Sequence, residues 1–222
     1  MRTRGLVVLL LGLAVVAVGC GGSSKQTTSL LHPSADGCDH SKPAAASTKR
    51  ATFTKPETVL KPGEKAAIDM VTSCGNITIQ LDVNTSNPIP NSIAFLVTKH
   101  FYDGLSIFRA VPDFVLQGGD PNGNGTGDPG YEVVGKLPTG YQYKIGDVAM
   151  AKTSAAPDGS AGSQFFLISG AQGAALPPQY GLLGHAADKE SLATIALLAS
   201  FSTQTEQPSK PLYIWTAELV KE

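Results

Sequence analysis

Charge is scarce in this chain. Asp, Glu, Lys and Arg make up 16% of its 222 residues, against about a quarter in an average soluble domain, which argues against a long solvated helix or a coiled coil. The formal net charge is −1, so no global basic field exists to hold nucleic acid. Cysteine is rare as well. Cys20, Cys38 and Cys74 stand too far apart for zinc-ligand spacing, and His32, His40, His100 and His185 show no ligand spacing either, so neither a metal nor another cofactor is expected. No apolar run reaches the roughly 20 residues of a spanning helix; Gly5 to Val18 is an uncharged run of 14. Gly159-Ser-Ala-Gly162 lacks the Gly-x-Ser-x-Gly pattern of a nucleophile elbow. Gly123-x-Gly-x-Gly127 leads into Asp128-Pro129, not into a lysine or a helix start, so a phosphate-binding loop is not expected there.

What is present begins with the ends of the chain. Arg2 and Arg4 precede the apolar run of 14 residues, the pattern of a secretory signal. Ala17-Val18-Gly19-Cys20 resembles the lipobox of bacterial lipoproteins, with Ala17 where Leu is usual. The resemblance implies removal of residues 1–19, acylation of Cys20 and a lipid anchor on the extracytoplasmic face of the cell membrane, where two or more acyl chains hold stably. Outside the cytoplasm disulfides persist, and a Cys38–Cys74 bond is expected, two free thiols being the other possibility. Residues 21–63 are rich in Ser, Thr, Lys, Pro and Ala and carry six basic against three acidic residues. Such composition reads as a flexible tether over 20–63.

From Glu64 to Glu222 the pattern is globular, with nine basic and fifteen acidic residues. Ala66 to Ser73 reads as a strand. In Asn76 to Asp82 the apolar Ile77, Ile79 and Leu81 alternate with polar neighbours, as in a half-buried strand. Cys74-Gly75-Asn76 supplies turn residues between the two, which predicts a hairpin. Pro88 to His100 reads as a helix that Asn91 could cap. Short strands are expected at 107–110, 115–117, 147–151, 165–168 and 181–184. A second helix, capped by Asp188, would place Leu192, Ile195, Ala196 and Ala199 on one face, and Leu212 to Val220 closes as a strand. Many short strands with two separated helices point to an antiparallel β-barrel. Met70, Met150 and Trp215 read as packing residues.

The densest block is Ile107 to Pro121, in which a strand would bring Arg109, Val115 and Gln117 to one surface beside Phe114. With Phe101-Tyr-Asp-Gly104, Asn124-Gly-Thr-Gly127, Met150-Ala151, Gly162-Ser-Gln-Phe-Phe166 and Leu182-Leu-Gly184, it resembles the cyclophilin family of peptidyl-prolyl cis-trans isomerases over residues 64–222. The resemblance implies a closed eight-stranded antiparallel barrel capped by two α-helices, with the active face outside the barrel. Position by position it implies Arg109 as the catalytic arginine. Phe114, Val115, Phe166 and Leu176 would line a proline pocket, with Tyr180 where many members have His. Gln117, Ala151, Lys152 and Gln164 would hold the substrate backbone and the arginine. Val115 stands where Met is usual and Lys152 where Asn is usual. Phe108 stands where His often precedes the arginine, and Ala175 where the Trp that favours cyclosporin would be.

These residue types suit rotation about an X–Pro bond. Its partial double-bond character sets a barrier of about 18–20 kcal/mol, and the uncatalysed reaction takes about tens to hundreds of seconds. No nucleophile is needed. A twisted amide localises the prolyl nitrogen lone pair, to which an arginine can donate more strongly than to the planar ground state. The expected function is thus isomerisation of X–Pro bonds in unfolded or extended segments of exported proteins, by a monomer. The alternative is a proline-peptide binding or scaffold module with little turnover.

Overall fold

The computed structural model describes residues 31–221 except 85, 136 and 138. The expected hairpin is present: β1 (Ala66–Thr72) and β2 (Gly75–Leu81) run antiparallel, with Thr72 opposite Gly75 across Ser73-Cys74. The alternation in β2 sends Ile77, Ile79 and Leu81 inward, where 0%, 0% and 5% of their surface is exposed. The chain continues through α1 (Ile89–Thr98), β3 (Arg109–Ala110), β4 (Val115–Gly118), β5 (Val133–Val134), β6 (Asp147–Met150), β7 (Ser160–Ala161), β8 (Phe165–Ile168), the single-turn α2 (Ala171–Ala174), β9 (Leu182–Ala186), α3 (Lys189–Ala199) and β10 (Ile214–Lys221).

Eight strands form one antiparallel sheet in the order β10-β1-β2-β9-β6-β8-β4-β3. The sheet curls but does not close by a ladder, which corrects the expectation of a closed barrel. Its edges meet at the bridge Ser106–Tyr213, with Ile107 N–H donating to Leu212 O and Ile214 N–H to Leu105 O. The seam is this short because the antiparallel register next sets Phe108 opposite Pro211, which has no N–H to donate. The short ribbon β5–β7 was not visible in the sequence, because two-residue strands leave no alternation to read. There Gly159, at φ +82°, lies so near Gly135 that a Cβ would sit 1.9 Å from its carbonyl oxygen, a contact only glycine permits.

The helices cover the barrel ends. α1 packs against β9 and β10, and α3 against β2 and β9. Asp188 caps α3 as expected, accepting from Ser191 N–H at 2.7 Å. Leu192, placed by spacing on the buried face, is 39% exposed, while Ile195 and Leu198 are buried. Asn91 does not cap α1, which starts one turn earlier behind Pro88. Its side chain instead accepts from Val59 N–H at 2.8 Å and Leu60 N–H at 2.9 Å and donates to Glu57 O at 3.0 Å.

That contact belongs to the largest departure from the sequence reading. Residues 31–63, expected as flexible tether, lie against the domain. Cys38 bonds Cys74, and Cys38 and Leu60 are 0% and 4% exposed. Arg50 donates through Nε to Phe101 O at 2.7 Å and through Nη2 to Asp103 O and Ala45 O. A 3₁₀ turn, Ala44–Ser47, presses on Gly104, where a Cβ would meet Ala46 N at 2.3 Å. Composition flagged the segment as polar, but three polar anchors far apart in sequence fix it. The proposed signal and Cys20 lie outside the described residues. Among the described residues no helix is long and apolar enough to cross a membrane.

Candidate active site

The site grows from strand alternation in the part of the sheet covered on both faces. In β8 Phe165 and Leu167 enter the barrel core, while Phe166 and Ile168 join a second apolar cluster outside it. The neighbours obey the same period: Leu116, Val148 and Met150 point in, Val115 and Ala149 out. Both faces are therefore apolar, and Phe165–Ile168 is buried throughout, as for strands sandwiched between layers. Phe114, Leu176, Tyr180 and Ala151 pack against the outer cluster and leave a hollow in it.

That hollow has a volume of about 290 Å³ and is lined by Arg109, Phe114, Val115, Gln117, Ala151, Lys152, Phe166, Leu176 and Tyr180, near the lower limit for small-ligand sites. All were singled out in the sequence. Phe166 forms the floor, with its ring edge-on to Tyr180 at 5.2 Å. Tyr180 is held by Tyr143, whose hydroxyl donates to Tyr180 O and accepts from Tyr180 N–H. Burial pushes the Tyr143 hydroxyl above its ordinary range, which keeps it a donor. Leu176 arrives just beyond α2, whose start is fixed by Asp113 accepting from Ala171 N–H at 2.7 Å.

Gln164, the remaining predicted member, does not line the hollow and is hydrogen-bonded to Gln117, which does. Gln117 Nε2 donates to Gln164 Oε1 at 3.1 Å, and Gln164 Nε2 donates to the carbonyls of Gly125 and Gly127 at 3.1 and 2.9 Å. The glycine loop is itself built around Asp120. Its buried carboxylate accepts from the N–H groups of Asn122, Asn124, Gly125 and Gly127. Those donors are taken up by Asp120, and the loop's carbonyls of Gly125 and Gly127 order Gln164.

Arg109 faces Gln117 across the β3–β4 ladder, with its guanidinium carbon 5.7 Å from the Phe114 ring centre. Its side-chain hydrogen bond runs from Nε to Glu206 at 2.7 Å. This hydrogen bond and the adjacent positive charge hold the Glu206 carboxyl below its ordinary range. Sequence reasoning missed Glu206, which lies 97 positions from Arg109 in a loop without a motif. Lys152, also in the lining, has partners of its own. Its Nζ donates to Ala156 O at 3.1 Å and lies 3.5 Å from Asp158, with Tyr180 beneath it at 5.8 Å. Phe108 and Ala175 do not line the hollow. Among the described residues no group of three His, Cys, Asp or Glu side chains is placed to hold a metal.

The sequence profile described as cyclophilin type peptidyl-prolyl cis-trans isomerase/CLD matches residues 67–219. The chain belongs to the cyclophilin family. Among relatives, the probable peptidyl-prolyl cis-trans isomerase B of Mycobacterium tuberculosis is 34% identical over 134 residues, which cover 54% of this chain and 42% of that protein. The chain thus spans less than half the length of that relative. The peptidyl-prolyl cis-trans isomerase of Synechococcus elongatus is 36% identical over 115 residues, covering 50% of this chain and 76% of the relative. The crystal structure of a Cryptosporidium parvum cyclophilin-type isomerase, determined in the presence of the dipeptide Ala-Pro, superposes with a TM-score of 0.60 at 22% identity. It covers 70% of this chain and 99% of that one. The cyclophilin fold is shared.

Proposed function

We propose that this cyclophilin accelerates cis-trans rotation of X–Pro bonds in exported proteins. The observation that carries the reading is the juxtaposition of Phe114, Val115, Phe166 and Leu176 with Arg109 in the lining of one hollow of about 290 Å³. Phe114, Val115, Phe166 and Leu176 hold the ring, so that the preceding carbonyl can turn while the ring stays fixed. Arg109 donates to the prolyl nitrogen as its lone pair localises. This interaction is weaker in the planar ground state, and that difference is what lowers a barrier. Gln117, ordered by Gln164 and the Asp120 loop, presents its amide to the peptide backbone. A prolyl dipeptide was present with the Cryptosporidium parvum relative, which supports proline-containing segments as the substrate class.

The experiment is relaxation of an X–Pro tetrapeptide after a jump that enriches cis, with the full chain as catalyst. Acceleration supports the proposal. A folded protein that binds proline peptides without accelerating them is a binding module instead.

The second part of the proposal concerns place. Acylation at Cys20 would hold the domain on the outer face of the membrane, where newly exported chains fold. It rests on the Arg2–Cys20 segment and agrees with a disulfide in the domain. Cys20→Ser should release the protein from the membrane fraction; unchanged retention refutes the anchor.

A further inference from the structure

We infer that Glu206 is a positioning residue for Arg109, its carboxylate taking the Nε–H so that the Nη donors remain for the substrate. The inference rests on the isomerase reading above. An arginine side chain has several rotatable bonds and five donors in one plane, and a hydrogen bond to a transient lone pair needs that plane fixed beforehand. Two contacts fix it here. The Phe114 ring lies 5.7 Å from the guanidinium carbon, and Glu206 holds Nε at 2.7 Å. Among the described residues no other side chain is hydrogen-bonded to the guanidinium, and Gln117, its neighbour across the ladder, is turned to Gln164.

The backbone supplies a second, independent sign. Glu206 has φ +65°, a left-handed conformation that L residues other than Asn and Asp seldom adopt. Such outliers persist where surrounding bonds over-determine them, and they gather at functional sites. The surrounding bonds are present. Glu206 O accepts from Ala110 N–H at 2.7 Å, Glu206 N–H donates to Thr203 O at 3.1 Å, and Thr203 N–H donates to Ala110 O at 3.3 Å. Thr203 Oγ1 further donates to Gln207 O at 2.7 Å. Ala110 directly follows Arg109, so these bonds tie the loop to the strand that carries the arginine. They set the carboxylate beside the guanidinium before any substrate arrives. The ion pair itself is open to water, with side chains 28% and 54% exposed, so it adds little to stability. Orientation is the larger consequence.

The test compares wild type, Glu206→Ala and Glu206→Gln in the full chain, with kcat and KM from the tetrapeptide assay. Both variants keep a Cβ, so the left-handed strain is unchanged, and denaturant midpoints check folding. Glu206→Ala should lower kcat about two- to fivefold with KM unchanged, the range of an exposed ion pair. Glu206→Gln should recover most of it, because its amide oxygen accepts the same Nε–H. As a second readout, the Arg109 Nε–H resonance should exchange slowly in wild type and Glu206→Gln and rapidly in Glu206→Ala. Wild-type kcat in Glu206→Ala, or Glu206→Gln no better than Glu206→Ala, overturns the inference and leaves the isomerase reading intact. A wild type that accelerates nothing overturns the isomerase reading, and the positioning role with it.

Discussion

Replacing Arg109 by alanine should abolish most catalysis while leaving the fold in place. A preorganised donor aimed at charge that develops in the transition state contributes about 2.7–4 kcal/mol in a dry site. Arg109 is not in a dry site. Its side chain is 28% exposed and shares its charge with Glu206. Screening therefore puts the loss at the lower end, about 2–3 kcal/mol, or about 30- to 150-fold in kcat/KM. Stability should change much less. Alanine removes an exposed ion pair, worth up to about 1 kcal/mol, and a cation–π interaction, worth about 0.5–1 kcal/mol at such a position. Arg109→Lys keeps the charge but not the planar Nε–H that Glu206 accepts, and should fall between wild type and Arg109→Ala. The assay is tetrapeptide relaxation beside a urea titration of each variant. A folded Arg109→Ala protein within threefold of wild type would refute the electrostatic reasoning.

Three further outcomes are expected. Phe166→Ala removes the floor of the hollow, a side chain 4% exposed, and should raise KM for proline peptides while destabilising by about 2–3 kcal/mol, below the cost at a fully enclosed phenylalanine; an unchanged KM means the ring binds elsewhere. Replacing Cys38 and Cys74 by serine opens a link spanning 36 positions and should cost about 4 kcal/mol by loop-closure entropy; identical urea midpoints for the variant and the oxidised wild type would contradict this. Acid should loosen the segment around residues 32–41. Lys210 lowers the Asp36 carboxyl from 3.8 to about 2. Burial raises that of Asp39, but bonds from Ser41 and from the His32 and Ser41 N–H groups outweigh it and leave it lowered. Folded values below the unfolded ones give stability that is complete above 3.8 and is lost as pH falls toward about 2, so amide protection of residues 32–41 against hydrogen exchange should fall in that window; protection unchanged down to about pH 2 would contradict this.

Much of the site was legible because its residues sit in contiguous motifs on short strands. Period two puts Phe166 and Phe165, and likewise Val115 and Leu116, on opposite faces, and the motifs that carry the family resemblance say which of each pair enters the hollow. A strand built from Phe165-Phe-Leu-Ile168 must be covered on both faces, and the run itself says so. The hairpin at Ser73-Cys74 and the Asp188 cap were also local matters, decided by residues within a few positions of each other.

What only the tertiary structure decided lies at long sequence separation. The seam of the sheet is a single bridge between Ser106 and Tyr213, and no local pattern records how far two distant edges approach. Residues 31–63 have a linker's composition but are fastened by Cys74, Asn91 and the carbonyls of Phe101 and Asp103. Asn91 itself read as a cap, since a helix-start asparagine has the same appearance whether its amide serves its own helix or a passing chain. The partner of Arg109 was hidden for the same reason. Glu206 is an exposed carboxylate in an unremarked loop until the backbone bonds to Ala110 bring it beside the strand. The sequence by itself named the side chains of the hollow through motifs that resemble the cyclophilin family, and alternation along β4, β6 and β8, a property of neighbours, explains why Val115, Ala149 and Phe166 share the outer face. Which group holds the arginine in place depends on where two distant backbones meet, and that was settled only by the folded chain.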